Sequence, residues 1–420
     1  MNRFVDRGIL LLVFIFFVFP SEGKSADSVL TFQKTKSILL RNNLSLLAAY
    51  YDLDIAKAVT VQSKLWNNPY FVFNGDLYSN ETNEYFHFRN QHLLQVEQTF
   101  SIAGKHTNSV KLARLGEKMA EHQLQDVLRS LLFEAGELYS ELAAHQEKLK
   151  LYSEVLTGYE ILNQATKNQL QVGAISQTEA IRLESEYLAV KTEALSIKNE
   201  REKILSEVRT LLRLSADTTL RVEQKLPVVL PELDLNVLIE EAILSRPDLL
   251  LRKTNKDFEE RNLRLQKSIA VPDLKFAYQP RDRGSNYVRP YQGFNVEFSI
   301  PVFNRNQGEI LASSNKVVKS GVEYLQLENQ TRNEVAAAYR QYLNTLSGLK
   351  NYSPEMLYKL EDFNRNTIVN FQKRNIGLLQ FIDQQRIFIQ SNLQLIELRQ
   401  AFLKTVNELN FAVGKTIIDY

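Results

Sequence analysis

The chain has 420 residues, a formal net charge of +2 and 24% charged residues, so no basic field points to nucleic acid. The absence of cysteine excludes disulfides, thiolate metal sites, cysteine nucleophiles and a cysteine-linked lipid. With only 15 Gly and 10 Pro, the composition favours long regular elements over loop-rich architecture.

The first element reads as an export signal. Arg3 and Arg7 precede an apolar run from Ile9 to Phe19, followed by Pro20 and Ser21-Glu22-Gly23. A charged start, a short apolar stretch and small residues predict a leader over 1–23, cleaved after Gly23. The apolar run is too short to cross a bilayer as a helix, which takes about 20 residues. No later segment is long and apolar enough either, so a membrane-embedded form of this chain has to use β-strands.

Beyond the leader the chain reads as a duplication. Asn43-Leu44-Ser45-Leu46 corresponds to Arg246-Pro247-Asp248-Leu249, and Leu65-Trp66-Asn67-Asn68-Pro69 to Ser268-Ile269-Ala270-Val271-Pro272, both at an offset of 203. Val96-Glu97 and Val296-Glu297 are 200 apart, while Gly173-Ala174-Ile175-Ser176 lies opposite Arg374-Asn375-Ile376-Gly377 at 201. Four landmarks keep one order and nearly one spacing. The expected organisation is a first repeat over 27–215, a linker over 216–232 carrying the helix-resistant Pro227 and Pro231, and a second repeat over 233–420.

Between the helical blocks of each half lie two stretches that alternate with period 2. Over 70–100, Phe71, Phe73 and Leu77 oppose Asn74 and Asp76, and on the return Leu94, Val96 and Phe100 oppose Gln95, Glu97 and Thr99. Over 273–300, Leu274, Phe276 and Tyr278 alternate with Asp273, Lys275 and Gln279, then Phe294, Val296 and Phe298 with Asn295 and Glu297. Polar loops at 79–92 and 280–290 separate the members of each pair. Strands of about 9–11 residues with one apolar and one polar face suit a membrane barrel with water inside. Four strands cannot close around water, so such a barrel has to be shared among copies.

Helical periods come next in each half. Leu124, Leu128, Leu131, Ala135, Leu138, Leu142, His145, Leu149, Tyr152, Leu156 and Tyr159 step by 4 and 3. Leu183, Val190, Ile197, Ile204 and Leu211 recur at sevens, as do Phe381, Phe388, Leu395, Phe402 and Leu409. A helix of about 60 residues extends roughly 90 Å, which suits a coiled coil or a helical tube and not a compact globule. A soluble periplasmic coiled-coil scaffold explains these stripes equally well; the amphipathic strands argue for the barrel.

Chemical motifs are absent. The histidines at 87, 92, 106, 122 and 145 form no i, i+4 pair of the kind that holds zinc on a helix. No Ser-His-Asp order, paired-carboxylate spacing or phosphate loop stands out, so the expectation is a non-enzyme without cofactor or bound metal.

One run of residues carries a resemblance. Phe298-Ser299-Ile300-Pro301-Val302-Phe303-Asn304-Arg305-Asn306-Gln307-Gly308-Glu309-Ile310 resembles the link between second hairpin and long helix in TolC-type outer-membrane efflux proteins, in their cobalt–zinc–cadmium (CzcC/CusC-like) branch. Arg246-Pro247-Asp248-Leu249 and Ile376-Gly377-Leu378-Leu379-Gln380-Phe381-Ile382-Asp383-Gln384-Gln385-Arg386 match the same branch. The resemblance spans nearly all of the chain beyond the leader. It implies a mainly α fold with a transmembrane β-barrel, a homotrimer sharing 12 strands in the outer membrane, and a long helical tube through the periplasm. It further implies an exit duct for heavy-metal cations, joined to a periplasmic adaptor and an inner-membrane pump of the resistance–nodulation–division class. Ducts for type I protein secretion or drug efflux share the fold.

By the same resemblance the turns at 171–176 and 373–379 are the tips that meet the adaptor. Gly173 and Gly377 there allow close approach or positive φ, Ile175, Ile376, Leu378 and Leu379 offer apolar contact, and Ser176 closes the first turn. Asp383 matches the motif's aspartate and is the candidate gate, three copies ringing the trimer axis. Its counterpart in the first half is Arg182, a candidate ion-pair partner. Two positions depart from the branch pattern: Arg374-Asn375 stands where Gly-x is usual, and Gln380 where an acidic residue is often found.

Overall fold

The computed structural model describes residues 28–75, 77–80, 83–86, 92–223, 233–282 and 289–419. The expected leader over 1–23 lies outside them, as does most of the Pro-bearing part of the linker.

The chain opens with β1 (Ser28–Leu30), α1 (Phe32–Asn42) and α2 (Leu44–Ser63), then β2 (Tyr70–Gly75), β3 (Tyr78–Ser79), β4 (Glu84–Tyr85) and β5 (His92–Phe100). Two long helices come after them, α3 (Lys105–Gln171) and α4 (Gln177–Leu212), and then β6 (Leu220–Val222). The second half runs α5 (Leu235–Ser245), α6 (Pro247–Ile269), β7 (Leu274–Asp282), β8 (Tyr291–Glu297), α7 (Gln307–Lys350), α8 (Pro354–Gln372) and α9 (Leu378–Val413). At 67 residues α3 extends about 100 Å.

Strands β2, β5, β7 and β8 form one antiparallel sheet in that order. Near the sheet, helices pack in the matching order α2–α3–α6–α7, each strand passing into a helix of the wall. Farther along, α3 packs between α4 and α9, and α8 packs on α9. Helices and sheet thus form a wall whose sheet has two free edges, β2 and β8. The expected strands are where the period-2 stretches lie, except that Leu77 falls beyond the end of β2, Asp273 before the start of β7 and Phe298 beyond the end of β8; Asp76 lies outside the described residues. Two pairs of small strands went unforeseen. The loop at 79–92 holds the β3–β4 ribbon, and the linker begins with β6, which pairs in parallel with β1.

The linker strand has a mechanical role. Leu30, Leu220 and Val222 are buried in one cluster with Leu138, Tyr139 and Leu142 of α3 and Leu205 and Val208 of α4. Tyr139 donates its hydroxyl to the Glu223 carbonyl, and the Gln146 amide brackets Val222 with two hydrogen bonds of 3.0 Å. Burial first, then the Glu223 carboxylate, push the Tyr139 phenol up to about 12.

The helix joints repeat across the halves. Asn43 caps α2 and donates its amide to the Leu211 carbonyl at 2.9 Å; Arg246, at the matching place before α6, donates to the Ala412 carbonyl at 3.2 Å. Both α4 and α9 end on a left-handed residue, Arg213 (φ 51) and Gly414 (φ 85). At Gly414 an added Cβ would lie 2.9 Å from Arg246 Cγ and 3.1 Å from its Cα, so glycine is required there.

Candidate functional site: open sheet and helical tips

Register sorts the sheet into two faces. On one, Phe71 faces Val96, Phe73 faces Leu94, Val96 faces Tyr278, and Tyr278 and Phe276 face Phe294 and Val296. On this face Phe71, Phe73, Phe276, Phe294 and Val296 are all exposed; Phe276 stacks on Phe294 at 6.3 Å between ring centroids, and Phe73 lies 6.4 Å from the His92 ring. On the other face, Lys275 Nζ lies 3.5 Å from Glu297 and 3.9 Å from Glu97, and the Gln279 amide donates to Gln95 at 3.0 Å. One face is apolar and solvated, the other polar and internally satisfied. That inversion of the usual globular arrangement is what a lipid-facing sheet requires. Among the described residues no helix is long and apolar enough to cross a membrane, and no group of His, Asp and Glu could hold a metal ion.

At the opposite end the two tips share one turn. The Ala174 amide donates to the Gln169 carbonyl and the Asn375 amide to the Asn370 carbonyl, each at 2.8 Å, the closing bond of a Schellman-type helix end. The left-handed residue of the first turn is Gly173 (φ 71), as expected from the sequence. In the second turn it is Arg374 (φ 61), not Gly377, which sits extended at φ −81 as the N-cap of α9. The aligned position sets the φ, and glycine has simply moved off it. Ser176 caps α4 through a full capping box with Glu179; hydrogen bonds from Ser176 to the carboxylate hold Glu179 below its usual range.

The apolar tip residues divide. Ile376 and Leu378 are half-buried against the cluster of Phe381 and Ile382, and Ile175 is half-buried too. Leu379 is exposed, and so is Val172, a residue that sequence reasoning passed over, at 78%.

Asp383 and Arg182 are both exposed, and no ion pair joins them within the subunit. The charged link between α4 and α9 lies about one turn farther along: Arg386 grips Glu186 bidentately, Nε at 2.8 Å and Nη2 at 2.6 Å. The expected pairing therefore shifts to the next matched opposite charges, which are 200 residues apart, within the range of repeat offsets already visible. Glu186, foremost, and Asp383 among lesser causes raise the Arg386 guanidinium. Beneath the pair lies Tyr159, fully buried, edge-on to Phe381 at 5.8 Å, its hydroxyl without a hydrogen-bond partner. Burial, with Glu186 adding to it, raises its phenol far above the ordinary value, so it stays neutral. His145 bridges α3 to α4, its Nε2 3.2 Å from Glu200.

Comparison with known proteins places this geometry. Residues 36–212 match the family model described as outer membrane efflux protein. The cobalt-zinc-cadmium resistance protein CzcC of Cupriavidus metallidurans is 21% identical over 383 residues, covering 90% of this chain and 88% of the relative. Among solved structures, CusC superposes with a TM-score of 0.71 at 17% identity over 91% of this chain and 92% of its own. The CmeC outer membrane channel of Campylobacter jejuni gives 0.73 at 13% identity over 94% and 90%.

Proposed function

We infer that the chain belongs to the outer membrane efflux protein family and forms the exit duct of an efflux system, a passive channel through the outer membrane that extends into the periplasm. The observation that carries this reading is the open four-stranded sheet, apolar outside and polar inside, running strand by strand into a helical wall. Backbone groups at free edges are unsatisfied in lipid, so β2 and β8 call for partner strands. Three copies supply 12 strands and close the ring.

Comparison of the halves supports the same closure. On α9, Ile382 and Ile396 are buried and Ile389 half-buried against Leu151, Tyr152, Val155 and Tyr159 of α3. The matching row on α4, Ile181, Leu188 and Leu195, is exposed. The counterpart of α3 is the α7–α8 stretch, and α8 carries exposed Met356 and Tyr358 on its free side. A neighbouring subunit's α8 therefore covers the α4 row, as α3 covers that of α9. Edge helices α2 and α7 likewise expose Leu47, Tyr51 and Ile55, and Leu311, Val318 and Leu325.

Likeness to CzcC along nearly the whole chain favours heavy-metal cations as cargo. The tips at Gly173, Ile175, Ser176, Ile376, Gly377, Leu378 and Leu379 are proposed to dock a periplasmic adaptor, which couples the duct to a resistance–nodulation–division pump. Asp383 is proposed to ring the narrow entrance. Purified protein reconstituted in a planar bilayer tests the duct: heat-labile trimers that conduct support it, and a non-conducting monomer refutes it. On those channels, Asp383→Ala should raise conductance and weaken block by multivalent cations. No change in either moves the gate away from Asp383.

A further inference from the structure

Where the two halves meet at their roots, the described residues line a cavity of about 280 Å³. First-half walls come from α1 and α3, second-half walls from the end of α5, the start of α6, α9 and the tail after it. Much of the apolar lining is aromatic: Phe32, Phe133 and Phe411, the last two 4.6 Å apart between ring centroids. An apolar cavity of about 150 Å³ holds benzene, so this one has room for two fused rings.

Three cations share the lining, Lys36, Arg129 and Lys415, and among the described residues no Asp or Glu joins them there. Their carboxylate partners stand outside it: Asp419 is 3.4 Å from Lys36, Glu241 2.8 Å from Lys415, and Asp126 and Asp248 are 2.7 and 3.1 Å from Arg129. Arg129 is committed to those contacts and to the Phe411 carbonyl. The lysines are not, since an ammonium has three donors and each pairs with one carboxylate among the described residues. Lys415 is exposed, and Lys36 lies 4.6 Å over the Phe32 ring centroid. Aromatic walls and charge of one sign in a single cavity complement a ligand that is both aromatic and anionic.

We propose that this cavity binds a planar aromatic monoanion of about the size of naphthoate, its ring against the phenylalanines and its carboxylate within reach of Lys36 and Lys415. Such a ligand bridges α1 of the first half to the tail of the second. Asp419 already ties the two there, accepting from Lys36 and from the Gln33 amide at 2.8 Å, so a second anion reinforces an existing joint. The site lies within one subunit and does not depend on the duct reading.

Titration calorimetry of the full-length protein in nanodiscs, with empty nanodiscs subtracted, tests the site with 2-naphthoate as probe. One naphthoate should bind saturably per subunit, and the thermal midpoint should rise with its concentration. The neutral analogue 2-naphthalenemethanol should bind about tenfold more weakly, as loss of a charge-assisted hydrogen bond implies. Replacing both lysines, Lys36→Met with Lys415→Met, should weaken naphthoate to the same degree and leave the alcohol unchanged. Leu132, also in the lining, offers a second variant: Leu132→Trp fills the cavity and should abolish binding of both. Midpoints without ligand show whether each variant is folded. Uptake that does not saturate, or equal affinity for acid and alcohol, overturns the proposal. Naphthoate binding unchanged by the lysine replacements overturns it too. Decanoate binding more tightly than naphthoate would put an acyl chain in place of the ring and refute the aromatic ligand.

Discussion

The two helical hairpins occupy matching places in the wall and are held together by different chemistry. Between α3 and α4 the seam is apolar: Leu183, Val190, Ile197 and Ile204 are all buried. At the matching positions of α9 stand Gln384, Ser391, Leu398 and Thr405. There the contacts are hydrogen bonds, from Thr367 to Gln384 at 2.9 Å and between Thr345 and Thr405 at 2.9 Å, together with Leu398 covering Gly348. The partner helix differs as well. α3 is continuous, whereas its counterpart breaks after Lys350 and restarts at Ser353, the N-cap of α8, with Pro354 in the first turn. At the joints the inequality reverses. In the first half a neutral Asn43 holds the end of α4. In the second, Arg246 is buried within an ionic network, bound to Asp248 at 2.7 Å and Glu334 at 2.6 Å, with Arg129 3.1 Å from Asp248. Arg129 also donates to the Phe411 carbonyl and lies over its ring, and Ser245 donates to Val413. The second hairpin is thus anchored by charge at its root and polar at the row where the first is apolar, while the first has a neutral joint and an apolar row. Apolar packing in the second hairpin lies on other positions, such as Tyr342 on Phe402 and Phe371 on Phe381.

The largest test of that contrast is at the roots. Arg246→Ala removes the buried cation between Asp248, which keeps Arg129, and the partly exposed Glu334, and should cost about 3 kcal/mol. Asn43→Ala removes one cap and should cost about 1 kcal/mol. Urea unfolding followed by helical circular dichroism measures both, and equal losses would mean that the joints are equivalent.

Along the seams the order inverts. Leu183→Ala opens a cavity in a fully buried position and should cost about 2–5 kcal/mol. Gln384→Ala should cost about 1 kcal/mol or less, because Thr367 keeps its hydrogen bond to the Phe363 carbonyl. If the glutamine proved as costly as the leucine, the two matching rows would hold their hairpins equally.

Acid should act on one root only. Burial pushes the Asp248 carboxyl up, but the hydrogen bond from Arg246 and the charges of Arg129 and Arg246 outweigh it and hold the group below its ordinary value. A depressed carboxylate contributes stability above its unfolded pKa, about 3.9, and that contribution is lost as pH falls through the lower folded value. Thermal unfolding below about pH 4 should therefore separate the wild type from Asp248→Asn, whose stability should fall less with acid. Parallel curves would show that the network does not titrate.

Much of this was legible in the sequence because it rests on period and offset. The strands declared themselves by alternation and the long helices by sevens, and the offsets near 200–203 aligned α1 with α5, α2 with α6 and α4 with α9. Contacts that depend on one residue's local geometry were hidden. β6 is three residues long in a stretch read as linker, and it is fixed by Tyr139 and Gln146 from far along the chain. Glu186 and Arg386 carried the signal of opposite charges at a repeat offset, yet Arg182 and Asp383 carried the same signal. Only the helix phase decides which pair meets. Val172 escaped notice because turn residues are read for backbone freedom, not for exposed apolar surface.

The smallest effect concerns the tips, where the halves differ in one backbone position. Gly173 and Arg374 hold the same left-handed conformation, which costs a side-chain-bearing residue about 1–2 kcal/mol. Nothing lies within 4 Å of an added Cβ at Gly173, so Gly173→Ala isolates that backbone cost and should destabilise by about 1 kcal/mol. Arg374→Gly should relieve it and stabilise, less the added freedom of the unfolded chain, worth about 0.4–1 kcal/mol. With the tip proposed to meet an adaptor, the exposed Arg374 side chain is the group this left-handed turn is proposed to present to it. Arg374→Gly should then yield a more stable trimer that exports less, whereas Gly173→Ala, which adds one methyl to the docking tip, should yield a less stable one whose export per trimer falls less. Metal tolerance of cells carrying each variant, normalised to trimer amount, reads the second quantity. If Arg374→Gly exports as well as the wild type, the arginine is only a strained turn residue and the adaptor contact lies elsewhere on the tip.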